Sequence, residues 1–144
     1  MAKTYVYSFE DTQLSINHPS FGTIEAYGTG IGSIAIEYAN DVTTHEVAAD
    51  QAVIVSKSVR KNGTITINAL QTSELNDWLT KFATYIESAP SSEFALATLT
   101  LRNTSTGEYW NCSGVSHQKK AGGNYQATAQ TKSWALMAAQ MEQQ

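Results

Sequence analysis

The residues most able to do chemistry in this chain are three histidines, one cysteine and a short glycine cluster. His18, His45 and His117 lie far apart and make no HxH, HxxxH or HExxH pattern, and a lone Cys112 cannot build a thiolate metal site. No metal and no cofactor is expected. Gly28-Thr29-Gly30-Ile31-Gly32 resembles a phosphate-cradling loop, yet the following GSIAIEY alternates as a strand. A phosphate loop needs a helix N-terminus after it, so these glycines read as a bend or bulge. There is no GxSxG elbow, and Asp50 near His45 reads as turn chemistry rather than a dyad. Cys112 lies beside Trp110 with no basic neighbour to activate the thiol, and reads as a small core residue. Glu10 and Asp11, adjacent on a strand, point apart. Trp78, Trp110 and Trp134 have faces that stack bases but lack a basic groove. No convergent reactive set emerges, and the chain is not expected to be an enzyme.

Composition bounds what remains. At 144 residues the chain reads as a single domain, 1–144, with short flexible ends. One cysteine cannot form an internal disulfide, the opening MAKTYVYSFEDTQL is not a signal peptide, and no window approaches the ~20 apolar residues of a membrane helix. The expectation is a soluble protein made in a cytoplasm. Charged residues are only 15% of the chain, against ~25% in typical soluble domains. Such a surface either meets other protein or belongs to an ordinary Thr-rich β-protein. Residues 1–56 carry one lysine against seven carboxylates, a net of −6; residues 57–144 carry eight basic groups against six acidic, a net of +2. The overall charge of −4 argues against binding nucleic acid by neutralising phosphates.

Strand signals dominate the elements that must position these groups. Residues 5–9 and 13–17 are short candidates, and His18-Pro19-Ser20 ends the second. Between Thr23 and Tyr38 the glycines interrupt a pattern that resolves into alternation: Ile34, Ile36 and Tyr38 opposite Ser33, Ala35 and Glu37. Residues 42–47 and 52–59 read as a hairpin around Ala48-Ala49-Asp50-Gln51. Asn62-Gly63 is a turn signal before TITINAL, in which Ile65, Ile67 and Ala69 oppose Thr64, Thr66 and Asn68. A one-residue slip would bury the threonines, so register is well specified. That strand has no lysine or proline to protect an edge, so its edges must be closed internally or by other copies.

One helix is expected over about residues 73–88. Ser73 caps it, Glu74 and Asp77 suit its first turn, and Leu75, Trp78, Leu79, Phe82 and Ile86 form one apolar stripe, a core helix. Burying those five side chains would contribute roughly 8–15 kcal/mol gross, before conformational entropy. Residues 94–101, 108–116, 124–132 and 133–139 read as further strands, residues 117–123 as a basic link, and Gln140 to Gln144 as frayed. The sum is a mainly β fold: an antiparallel sandwich or barrel-like domain of about nine short strands with one flanking amphipathic helix.

The order of an Asp-containing turn, a VSKS strand, Asn-Gly, TITI and the QTSELNDWL helix, followed by CSGVSHQK and TKSWALMAA, resembles the tail tube proteins of contractile-tailed bacteriophages. The resemblance runs from about Gly30 to Ala139. It departs at Gln51, where glycine is expected in the turn. The resemblance implies a β-sandwich with a flanking helix, hexameric rings that close one sheet per subunit into a shared barrel, and head-to-tail stacking into a tube. The implied partners are other copies of the chain, the tail sheath, the tape-measure protein, and baseplate and tail-terminator proteins. Genomic DNA would pass through without sequence-specific binding, and no membrane is involved. The implied location is the virion tail, assembled in the host cytoplasm.

On this reading Ser33, Glu37, Ser56, Ser58, Thr64, Thr66, Asn68, Gln126, Thr128 and Gln130 line the channel, since a lumen that releases DNA should be polar and neutral to acidic. Asp41, His45, Glu46 and Asp50 meet Lys57, Arg60 and Lys61 of the next ring. Two alternatives stand beside it. One is a bacteriocin or type VI-like tube; the other is a monomeric β-barrel that binds a small ligand in a sizeable apolar cavity.

Overall fold

Alternating β-branched residues set the architecture, because each strand offers one face that must leave water. The computed structural model describes residues 11–27, 31–123, 125–128 and 130–143. The strand expected at 5–9, together with Glu10, Gly28 and Gly30, lies outside them. In chain order the elements are β1 (Thr12–His18), β2 (Gly22–Tyr27), β3 (Ile31–Tyr38), β4 (Thr43–Val47), β5 (Val53–Lys57) and β6 (Gly63–Leu70), then α1 (Glu74–Ser88). After the helix come β7 (Ala97–Asn103), β8 (Glu108–Lys119), β9 (Thr131–Ala138) and β10 (Gln140–Gln143).

Seven strands join in the order β2-β1-β7-β8-β9-β6-β3, with β10 added on β8; among the described residues, β4 and β5 pair only with each other. The long sheet folds back on itself at β8. Its first half pairs with β7 and β10, its second half with β9. Gly114 is the hinge: it has φ +65, and a Cβ there would lie 2.7 Å from that of Ala139. A side chain would both strain the backbone and block the fold-back.

Between the two halves lies the core. Leu14, Ile16, Leu99 and Cys112 enter from one half, and Ile65, Ile67, Trp134 and Leu136 from the other. The helix covers one side of this core. Ser73 caps it, its Oγ accepting from the Asn76 amide at 3.2 Å. Leu75, Leu79, Phe82 and Ala83 are buried, and Trp78 and Ile86 pack against the core half-covered. Phe82 stacks on Trp78 at 4.8 Å and meets the rings of His18 and His117. His18 is fully inside and structural. Its Nδ1 accepts from the Ser20 and Phe21 amides at 3.1 Å, which leaves Nε2 to donate to the Glu93 carbonyl at 2.7 Å.

Several expectations are corrected. Asn62-Gly63 is not a hairpin turn: Gly63 lies within β6, opposite Tyr38 and Ala138, and β5 does not pair with β6. A Cβ at Gly63 would run into Met141 Cε and the Glu37 carbonyl, so close approach rather than left-handed backbone explains the glycine. The described residues of 124–130 form no strand, and β9 begins at Thr131. The apolar run from Phe94 starts as a turn, with the Glu93 and Phe94 amides bonded to the Pro90 carbonyl, so β7 begins at Ala97. β8 runs on to Lys119, through the first three residues of the expected link, which draws His117 inward. Residues 140–143 are not frayed but form β10, with Met141 fully buried. TITINAL is no edge strand, because β3 and β9 flank it.

Candidate functional site

Two surfaces stand out, and both come from the same alternation. The first is the outer face of β3, β6 and β9. Each apolar residue turned to the core leaves a small polar one turned away, so Ser33 pairs with Asn68, Ala35 with Thr66 and Glu37 with Thr64. Across β6, Asn68 stands opposite Ser133, Thr66 opposite Ala135 and Thr64 opposite Met137. Ser116 and Lys119 of β8 extend the face beyond Met137 and Ala135. Asn68 donates from Nδ2 to Ser33 Oγ at 2.6 Å, which satisfies the row without charge. Ile65 and Ile67, directly behind it, are inaccessible to solvent.

Of the channel residues expected from sequence, the fold therefore brings Ser33, Glu37, Thr64, Thr66 and Asn68 together. Ser56 and Ser58 lie instead on the β4–β5 segment. Gln126, Thr128 and Gln130 lie in the irregular stretch before β9, where Gln130 is tied by its backbone carbonyl to the Gln71 amide at 3.0 Å. Ser116, Lys119, Ser133, Ala135 and Met137 complete the face and were not foreseen. The alternation of Ser133 and Ala135 with Trp134 and Leu136 was the available signal.

The second surface is the β4–β5 arm. Its register pairs Thr43 with Lys57, His45 with Val55 and Val47 with Val53. Every residue of both strands is exposed, including Val47 (70%), Val55 (60%) and Ile54 (51%). Side-chain alternation places Val47, Val53 and Val55 on one face, and among the described residues nothing covers that face. At the tip, Asp50 accepts from the Ala52 amide at 3.1 Å and Gln51 adopts φ 69. That is the left-handed backbone glycine takes most easily, and it gives the departure at Gln51 a physical meaning.

All seven charged residues expected at ring contacts, from Asp41 to Lys61, lie on this arm or its root. Asp41, His45, Glu46 and Asp50 belong to the outgoing strand and tip; Lys57, Arg60 and Lys61 belong to the return. Lys61 is already engaged within the subunit, 3.2 Å from Glu142 Oε1. That bond holds the Glu142 carboxyl below its usual range.

The remaining reactive groups are sequestered. Burial pushes the Cys112 thiol up to about 11, so it stays protonated at neutral pH. His117 has neither ring nitrogen bonded and lies among Phe82 and Trp134. Burial, then the nearby Lys120, lowers it to about 4. Sequence reasoning also missed Asn76, buried on the helix, whose Oδ1 accepts from Trp134 Nε1 at 3.0 Å. A cleft of about 220 Å³ opens between Ile34, Ile36, Leu101 and Trp110. Among the described residues, no group of His, Cys, Asp and Glu is placed to hold a metal.

Comparison with known proteins gives these surfaces a context. A chain of the extended sheath–tube complex of an extracellular contractile injection system, PVC, has the same fold: TM-score 0.61 at 17% identity, covering 97% of this chain and 92% of that one. A chain from the PVC sheath/tube terminator matches at TM-score 0.63 and 15% identity, covering 99% of each chain. One from the anti-feeding prophage tube-terminating cap matches at 0.62 and 11%, covering 100% and 94%. No protein in a search of curated proteins matches in sequence. Residues 4–144 match the family of the bacteriophage PhiTE tail tube protein, and with nearly the whole chain covered, this protein belongs to that tail tube family.

Proposed function

We propose that the whole chain acts as one ring-forming subunit of a tail tube, with the polar face of β3, β6, β9 and the end of β8 lining the lumen. The observation that carries this is a four-strand layer with two open edges. Among the described residues, β3 pairs only with β6, and no strand pairs with the far side of Ser116–Lys119. Each neighbouring pair in the layer is antiparallel. Because four strands alternate in direction, β3 of one copy meets β8 of the next antiparallel, and cyclic repetition closes a barrel without edges. Six copies make the ring of the reading above. Glu37 on one open edge and Lys119 on the other then bring opposite charges to the seam, leaving the lumen close to neutral, so phosphates slide without capture.

The arm reaches from each ring to the next, burying Val47, Val53 and Val55 and setting its acidic strand against Lys57 and Arg60 of another copy. The sheath surrounds the outer surface, a reading supported by a structural relative that belongs to a sheath–tube complex. Terminator and baseplate proteins close the ends, and the tape-measure protein and then DNA occupy the lumen. The subunit is part of the virion tail and assembles in the host cytoplasm.

Electron microscopy of purified protein tests both contacts. Glu37→Lys should abolish rings and tubes, and adding Lys119→Glu should restore them; normal tubes from Glu37→Lys alone would overturn the seam. Reversal of Lys57, Arg60 and Lys61 to glutamate should leave rings but stop stacking. Long tubes from that variant would remove the arm from ring-to-ring contact.

A further inference from the structure

We propose that β10 is a clamp that fixes the direction in which the arm leaves the body, so residues 140–143 control ring stacking without touching the next ring. This rests on the arm being the part that reaches that ring. The arm joins the body at two points, Tyr38 at the end of β3 and Asn62-Gly63 at the start of β6. A free hairpin on two such roots would swing. Its roots are bonded to each other, Ala39 amide to Asn62 carbonyl at 3.1 Å and Asn40 Nδ2 to Asn62 Oδ1 at 2.9 Å. What ties them to the body's end is Met141. Its amide donates to the Lys61 carbonyl at 2.7 Å, its carbonyl accepts from Tyr38 Oη at 3.3 Å, and its side chain is fully buried beside Gly63. One residue thus grips both roots.

β10 is itself anchored where the arm is not. It lies antiparallel on β8, with Met141 opposite Cys112 and Gln143 opposite Trp110. The Lys61–Glu142 pair adds a third tie. It is exposed, so the backbone bond and the buried methionine carry the grip. The Met141 amide serves Lys61 rather than β8, and a proline there removes the arm-root bond while leaving a strand position that tolerates it.

Pulsed electron spin resonance between nitroxides at Asp50→Cys and Glu108→Cys reads the arm's direction, and buried Cys112 stays unlabelled. The intact protein should give one narrow distance distribution. Deleting residues 140–144 should broaden it at least twofold and shorten tubes about tenfold. Met141→Pro should broaden it more than Met141→Ala, which loses the same side chain but keeps the amide, and this pair decides the matter if the deletion does not fold. Distributions as narrow as the parent's in the folded deletion, or in Met141→Pro, would overturn the clamp. A broadened distribution with normal tube length would leave the clamp standing and instead remove the arm from stacking.

Discussion

Strands β6 and β5 are built from the same material and live in opposite surroundings. TITINAL and VIVSK are both rich in β-branched residues, yet Ile65 and Ile67 are sealed in the core while Val53, Ile54 and Val55 are each more than half exposed. In the body, the apolar face of β6 is satisfied by the subunit's own helix and opposing sheet half. In the arm, none of the described residues covers the valines. A hairpin that keeps such a face wet is stable only where another protein covers it. On the proposed reading, the difference separates what holds the subunit together from what holds subunits to each other.

Breaking that contrast starts with the largest effect. Phe82→Ala should cost about 3–5 kcal/mol and Ile67→Ala about 2–5 kcal/mol in urea unfolding of the subunit, through transfer and cavity terms. Asn76→Ala should cost about 1–3 kcal/mol by leaving the buried Trp134 N–H without its acceptor; an unchanged urea midpoint would mean water replaces it.

Acid probes the same core. His117 is held neutral below its ordinary 6.5, so the folded state binds fewer protons than the unfolded one as pH falls. Stability is full above about 6.5 and declines towards about 4, by about 2 kcal/mol after discounting its partial exposure. The part of the acid loss due to this ring is the difference between parent and His117→Phe, read from unfolding midpoints at pH 7 and pH 4.

In the arm the effects shrink. Gln51→Gly should relieve about 1 kcal/mol of local strain at the tip, slowing amide exchange in β4 and β5 while leaving the body unchanged. Val55→Ala should alter subunit stability by less than about 0.5 kcal/mol yet shorten tubes. A large subunit effect would show that the arm packs on its own body and would erase the contrast.

The helix and β6 were readable from sequence because their signals are local. A cap, a stripe at helical spacing and a strict alternation each need only the residues themselves. Failures came where the deciding partner was remote. Asn62-Gly63 looks like a turn by chemistry, but β6 runs through it because Tyr38, Ala138 and Met141 crowd that position. Gln126, Thr128 and Gln130 alternate like a strand, yet Tyr125 and Ala127 beside them are exposed, so no buried face holds them in one. Residues 140–143 offer one apolar side chain, and their strand exists because β8 leaves a free edge beside a methionine-sized space. The channel candidates divide the same way: Ser33, Glu37, Thr64, Thr66 and Asn68 share a face with known isoleucines behind them, whereas Ser56 and Ser58 were placed by pattern alone.

What this sequence determined unaided is which residues of each element turn from water, since side-chain spacing along a strand or helix is a property of the local backbone. Which strands then lie side by side, that β8 serves both halves of the sheet, and that one hairpin is left outside were decided only in three dimensions. Strand edges pair through N–H and C=O groups that nearly every residue carries, so the choice of neighbour comes from how the whole core closes.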